Sequence, residues 1–166
     1  MKKVYLTTSL LALSVFLSPL TTLQAATAQP NQKQQFTIAQ AKPANQQSII
    51  VNLQHGTDDL HAVFMAVKLA HGLQKKGAQV ILLLTQEGVR IADTRQPQDL
   101  RWGNSQMTIA EIYEDFVKAG GKVIVCPVCA AAVGLTANSL RQGAQFAQGN
   151  NDIPSLVLSA DKILDF

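Results

Sequence analysis

Cys126 and Cys129 are the only two cysteines of the chain, and they stand three positions apart in the run Cys126-Pro127-Val128-Cys129. The apolar run Lys122–Val125 ahead of them predicts a strand. The run Ala130–Val133 behind them predicts a helix that Gly134 ends. Cys126 therefore belongs at the carboxyl end of a strand and Cys129 in the first turn of a helix. In open α/β sheets, ligands and chemistry gather beyond the carboxyl ends of the strands. The free N–H groups and dipole of a helix start favour an anion there. Such a setting can lower a thiol pKa from about 8.5 into a range of about 3.5 to 7.5. Pro127 lacks a donor but suits the first helical position. Two plainer readings stand beside this one. A buried Cys is often a small apolar side chain, and two cysteines of an exported protein can form one structural disulfide. A bridge across two residues closes a tiny loop and stabilises little, which favours a reactive role.

A second group lies after the first apolar run. His55, Gly56 and Asp58 follow the predicted strand Ser48–Leu53, so their loop belongs at the same sheet edge and is expected to shape a substrate site. His55, Cys126 and Cys129 would be one ligand short of a structural zinc set, with Asp58 or a neighbouring subunit as the fourth. A metal-binding module built on these residues is the alternative to a thiol site, for which no metal or cofactor is expected. His61 and His71 lie ten residues apart on a predicted helix and point about 80° away from one another, so they are not a ligand pair. No Gly-rich phosphate loop, Ser-His-Asp order or paired-carboxylate motif stands out.

These residues need a scaffold, and the hydrophobic pattern supplies one. Thr57 is a candidate N-cap, with Asp58 and Asp59 suited to the positive end of the helix dipole. Leu60, Val63, Phe64, Val67, Ala70 and His71 then recur at helical spacing, and Lys75-Lys76-Gly77 closes the helix. Gln79–Thr85 is a near-continuous apolar run, the mark of a strand covered on both faces. Strand, helix and buried strand make a βαβ unit. Gly88–Ile91 is expected to add a short extended piece. Residues 93–107 form a long polar loop that is a lid or contact surface, with Trp102 as a plug or subunit contact. Thr108 and Glu111 have capping-box spacing ahead of Ile109, Ile112, Phe116 and Val117, and Gly120-Gly121 stops that helix. Residues 143–147 and 162–166 are two further candidate strands. The fold class is α/β, a single three-layer domain with a mainly parallel sheet of about five strands.

The ends and the charge bound the setting. Lys2 and Lys3, an apolar stretch to Leu20, and small residues through Ala28 have the form of a secretory signal peptide over residues 1–28. Ala26 and Ala28 satisfy the cleavage pattern, and cleavage after Ala25 is an alternative. The apolar core is short for a span of about 20 residues, and Pro19 interrupts it. Export, with a periplasmic location, is expected, without membrane attachment after cleavage. Residues 29–47, rich in Gln, Asn, Ala, Lys and Pro, read as a flexible lead. The domain occupies residues 48–166. The whole chain carries 14 Lys/Arg and 11 Asp/Glu. Without the two lysines of the signal segment the balance is 12 − 11 = +1. With no basic stripe interleaved with aromatics, nucleic acid is not an expected partner.

The segments IIVNLQHGTDD, QVILLLTQEGV, GGKVIVCPVCAAAVGL and ADKILDF together resemble the DsrE/DsrF-like family, which includes sulfur-relay proteins. The resemblance spans Ile49 to Phe166. It implies a compact α/β domain that assembles as a homotrimer or homohexamer. It also implies one Cys after the third core strand that carries sulfur as a persulfide. By position that residue is Cys126, with Cys129 as an additional, resolving thiol. Two departures qualify the match. The relay members are typically cytosolic, and a single-Cys carrier needs no second thiol three residues on. An oxidising compartment drives such a pair toward a disulfide unless a reductant opposes it. The expected partners are other copies of the chain and a protein sulfur donor, sulfur acceptor or thiol reductant.

Overall fold

The computed structural model describes residues 42–166. The expected signal peptide (1–28) and residues 29–41 of the lead lie outside them. Residues 42–47 carry a single 3-10 turn, Ala44–Gln46. Lys42 pairs with Asp161 at 2.9 Å, and the Gln79 amide donates to the Gln47 carbonyl.

Five strands form one sheet among the described residues: β1 (Ser48–Leu53), β2 (Gln79–Leu84), β3 (Lys122–Val125), β4 (Ala144–Phe146) and β5 (Lys162–Asp165). Their spatial order is β4-β3-β2-β1-β5, and every pairing is parallel. Alternation along the central strands sends side chains to two faces. Ile49, Val51, Leu53, Val80, Leu82, Leu84, Val123 and Val125 enter the larger core cluster. There they meet Val63, Ala66, Val67 and Ala70 of helix α1 (Leu60–Lys75) and Ile109, Ile112, Tyr113 and Phe116 of helix α2 (Ile109–Lys118). Ile50, Leu83 and Ile124 point to the opposite face and pack on Leu156 of helix α4 (Ile153–Ser159). Helix α3 (Pro127–Ala132) stands at the end of β3. The domain thus has helices on both faces of a fully parallel sheet, as the buried apolar runs imply. Among the described residues no helix is long and apolar enough to cross a membrane.

Three local expectations are corrected. Thr57 does not cap α1. Asp59 does, its carboxylate accepting from the Ala62 amide at 3.0 Å, which releases Asp58 for the preceding loop. Residues 88–91 are not extended. They belong to a 3-10 helix, Gln86–Ala92, because the Gly88 amide donates to the Thr85 and Gln54 carbonyls rather than to a ladder. Helix α4 has no counterpart in the sequence reading. Its start is nevertheless marked by Asp152, whose side chain accepts from the Ser155 amide at 2.8 Å, and by Pro154 in the first turn.

Candidate functional site

Cys126 is placed by the sheet and by the helix at once. Its amide donates to the Leu84 carbonyl at 2.9 Å, which carries the β2–β3 ladder one residue beyond β3. Its carbonyl accepts from the Ala130 amide, so Cys126 is the N-cap of α3. Its Sγ accepts from the Cys129 amide at 3.3 Å. The sulfur takes the place of the side-chain oxygen that usually caps a helix. Both thiols are unbridged. Cys126 is only 8% exposed, whereas Cys129 is half-buried.

Burial decides the acidity of Cys126. It pushes the thiol above its ordinary value, and the neighbouring Cys129 side chain adds to that rise. The amides of Cys129 and Val128 oppose it without overcoming it. The expected lowering of the pKa by the helix start is therefore corrected: α3 has six residues, and desolvation of a thiolate outweighs two N–H groups. Burial thus favours the protonated form of Cys126. Deprotonation is promoted by a base, a higher pH, or a substrate that gives the sulfur access to water.

The loop after β1 forms its own polar unit. His55 Nδ1 and Asp58 Oδ2 are 2.7 Å apart, and the Gly56 amide donates to Asp58 Oδ1 at 2.6 Å. The hydrogen bond to Asp58 raises the His55 pKa above 6.5, and the same bond lowers that of Asp58. Both side chains stay about half exposed, at 45% and 50%. Among the described residues the second imidazole nitrogen has no hydrogen-bond partner.

The Gln86–Ala92 turn connects these two places. The Thr85 amide donates to the Leu53 carbonyl and the Gln54 amide to the Phe166 carbonyl, so Gln54, Thr85 and Cys126 each continue a ladder by one residue at the same edge. Two glycines let the turn sit there. A Cβ on Gly88 would lie 2.1 Å from the Leu53 carbonyl oxygen, and one on Gly56 would lie 2.7 Å from that of Glu87. Residue types alone give little notice of four further participants. Thr85 Oγ1 donates to Asn52 Oδ1 at 2.9 Å, and Asn52 Nδ2 donates to Asp165 at 2.8 Å. Gln86 adopts φ 49°, the only positive φ outside glycine among the described residues, a conformation that carries strain. Its signal was its place directly after a buried strand.

The structure thus puts His55, Gly56 and Asp58 on the same sheet edge as Cys126 and Cys129, with β2 and its turn between the two groups. It does not gather them into a metal site. Among the described residues no three His, Cys, Asp or Glu side chains are arranged to hold a metal ion. Trp102 is also not a buried plug. It lies flat on His61, with ring centroids 4.0 Å apart and planes 9° apart, and it leans on Phe64. That stack fastens the long loop to the outside of α1.

A family model, described as the DsrE/DsrF-like family, matches residues 47–166. The chain belongs to the DsrE/DsrF-like family. A crystal structure of the ychN protein from E. coli matches with a TM-score of 0.59 and 21% sequence identity, over 73% of this chain and 99% of that one. At that identity the likeness speaks for the fold. Among the curated proteins none matches this chain. The DsrE/DsrF-like domain accounts for the parallel five-stranded sheet.

Proposed function

We propose that this protein handles sulfane sulfur through Cys126, with Cys129 as the resolving thiol. The observation that carries the reading is Cys126 at the end of β3, capping α3 with its sulfur beside Cys129, inside a DsrE/DsrF-like domain. In the forward step the Cys126 thiolate attacks the outer sulfur of a donor persulfide. A Cys126 persulfide forms and the donor leaves as its thiolate. The outer sulfur then passes to an acceptor thiolate, which regenerates Cys126. When no acceptor is present, the Cys129 thiol attacks Cys126 Sγ. A Cys126–Cys129 disulfide forms and hydrosulfide leaves. A dithiol reductant must then restore the pair.

The burial of Cys126 fits a thiol that is protected until a partner docks. Export, as the residue pattern of positions 1–28 suggests, would place this chemistry in the periplasm and make a reductant partner necessary. Exposed Val157, Leu158 and Ile163 favour self-assembly, and the family resemblance suggests a homotrimer or homohexamer.

The test is sulfur acceptance by variants. Cys129→Ser, reduced and then exposed to a polysulfide donor, should take up one sulfur atom per chain, whereas the parent, with no acceptor present, should pass on to the Cys126–Cys129 disulfide. Cys126→Ser should take up none, and Cys129→Ser should hold its persulfide longer than the parent. Undiminished uptake by Cys126→Ser would overturn the assignment.

A further inference from the structure

A cleft of about 520 Å³ opens beside α2, away from the thiol pair and sharing no residue with it. Thr94 and Gln98 line one side, Glu114, Val117 and Lys118 of α2 another, and Arg141 a third, over a floor formed by Tyr113. Its size suits a small organic molecule.

Arg141 is the unusual member. It is half-buried, and its backbone is pinned by the bond from its amide to the Ala92 carbonyl at 2.7 Å. The Asp93–Leu140 bridge holds the preceding residue. The guanidinium carbon lies 5.9 Å from the Tyr113 ring centroid. Nη1 donates to the Gln98 side-chain oxygen, a neutral acceptor. Nε is buried and has no acceptor among the described residues. The neighbouring carboxylates are engaged elsewhere. Asp93 is held by Arg95 through both its oxygens, and Glu114 pairs with Lys118 at 3.4 Å. Among the described residues Arg141 makes no ion pair. A partly desolvated guanidinium with an unpaired donor and no carboxylate bonded to it is costly, and proteins normally provide a partner.

The charge count in the cleft is two cations (Lys118, Arg141) against one anion (Glu114), a surplus of one positive charge. One negative charge on a ligand balances it, and a planar carboxylate matches the guanidinium edge. Val117 and the aliphatic stems of Lys118 and Arg141 supply an apolar wall. We propose that the cleft binds a small organic monocarboxylate, its carboxylate on Arg141 and its apolar body along Val117 and above Tyr113. The Gln98 amide yields its place on Arg141 as the carboxylate enters.

The probe is benzoate, titrated at constant ionic strength into the full chain labelled with ¹⁵N, with the Arg141 Nε–Hε signal as readout. A saturable shift of that signal with Kd of about 1 mM or tighter is expected. Arg141→Gln should weaken benzoate at least about tenfold, as judged by the backbone signals of Val117 and Lys118. If Arg141→Gln does not fold, Glu114→Gln, which leaves every Arg141 contact in place, should tighten benzoate by removing a like charge from the rim. Inorganic phosphate at the same ionic strength should bind more weakly than benzoate. The proposal is overturned by an Arg141 signal that does not move or does not saturate. Equal binding of phosphate, or benzoate affinity unchanged in both variants, overturns it as well.

Discussion

Cys126 is an unusual nucleophile candidate because its surroundings favour the protonated thiol. Two consequences are measurable. Alkylation of Cys126, followed by mass spectrometry across pH, should stay slow near neutrality. It should accelerate with a midpoint above the ordinary thiol range, because burial raises the pKa. The Cys129 side chain contributes to that rise, so Cys129→Ala should shift the midpoint downward and speed alkylation at a fixed pH. A midpoint below the ordinary value in the parent would restore the helix-start activation that the spacing suggests. For His55 the sign is opposite in origin: the Asp58 carboxylate favours the charged imidazolium. An NMR titration should place the His55 midpoint above 6.5, and Asp58→Asn should bring it back toward that value. Much of this site was legible from residue types and positions. The spacing of Cys126 and Cys129 and the place of His55, Gly56 and Asp58 after β1 identified the edge. The acidity of Cys126 was not legible, because it depends on how deeply the sulfur is buried, which no spacing records.

At the scale of elements, the site is held by caps and by close backbone approaches. In α2, Thr108 Oγ1 accepts from the Glu111 amide at 3.0 Å, and the Glu111 carboxylate accepts from the Thr108 amide at 2.6 Å. Thr108→Ala should cost about 1 kcal/mol in denaturant unfolding, with sulfur uptake unchanged. Gly88 has a different role, since its Cα lies against the Leu53 carbonyl. Gly88→Ala must push the Gln86–Ala92 turn away from β1, at a cost of about 1–3 kcal/mol. Because Cys126 follows the strand next to that turn, the variant should also change the alkylation rate of Cys126, whereas Thr108→Ala should not. The capping box was readable from Thr108 and Glu111 alone, since its signal is local. The 3-10 turn was not, because the Gly88 amide turns to the Gln54 carbonyl at the end of the first strand, 88 − 54 = 34 residues earlier. Helix α4 is only seven residues long, too short for a hydrophobic period to emerge behind the cap signal of Asp152 and Pro154.

For the whole molecule, the two faces of the sheet are covered unequally. The α1–α2 face has a broad core, and the other rests on Leu156 over Ile50, Leu83 and Ile124. Leu156→Ala should therefore cost about 2–5 kcal/mol in chemical denaturation, although α4 is the shorter cover. Outward-facing Leu158, 87% exposed, should tolerate Leu158→Ser in an isolated chain but weaken any assembly that buries it, which sedimentation would detect. The parallel class of the sheet was legible because β1 and β2 are near-continuous apolar runs, buried on both faces. The strand order was not. β5 returns to pair with β1 rather than with β4, a choice made by tertiary packing and not by either strand's own sequence. The central claim about the molecule is that sulfur resides on Cys126. The most direct measurement is the intact mass of the non-reduced protein before and after exposure to a polysulfide donor, with the modified residue located by peptide mapping. In Cys129→Ser one added sulfur atom on Cys126 is the predicted result, and in the parent, with no acceptor present, a loss of two hydrogens as the Cys126–Cys129 disulfide. Sulfur on neither thiol, with the mass unchanged, would contradict it.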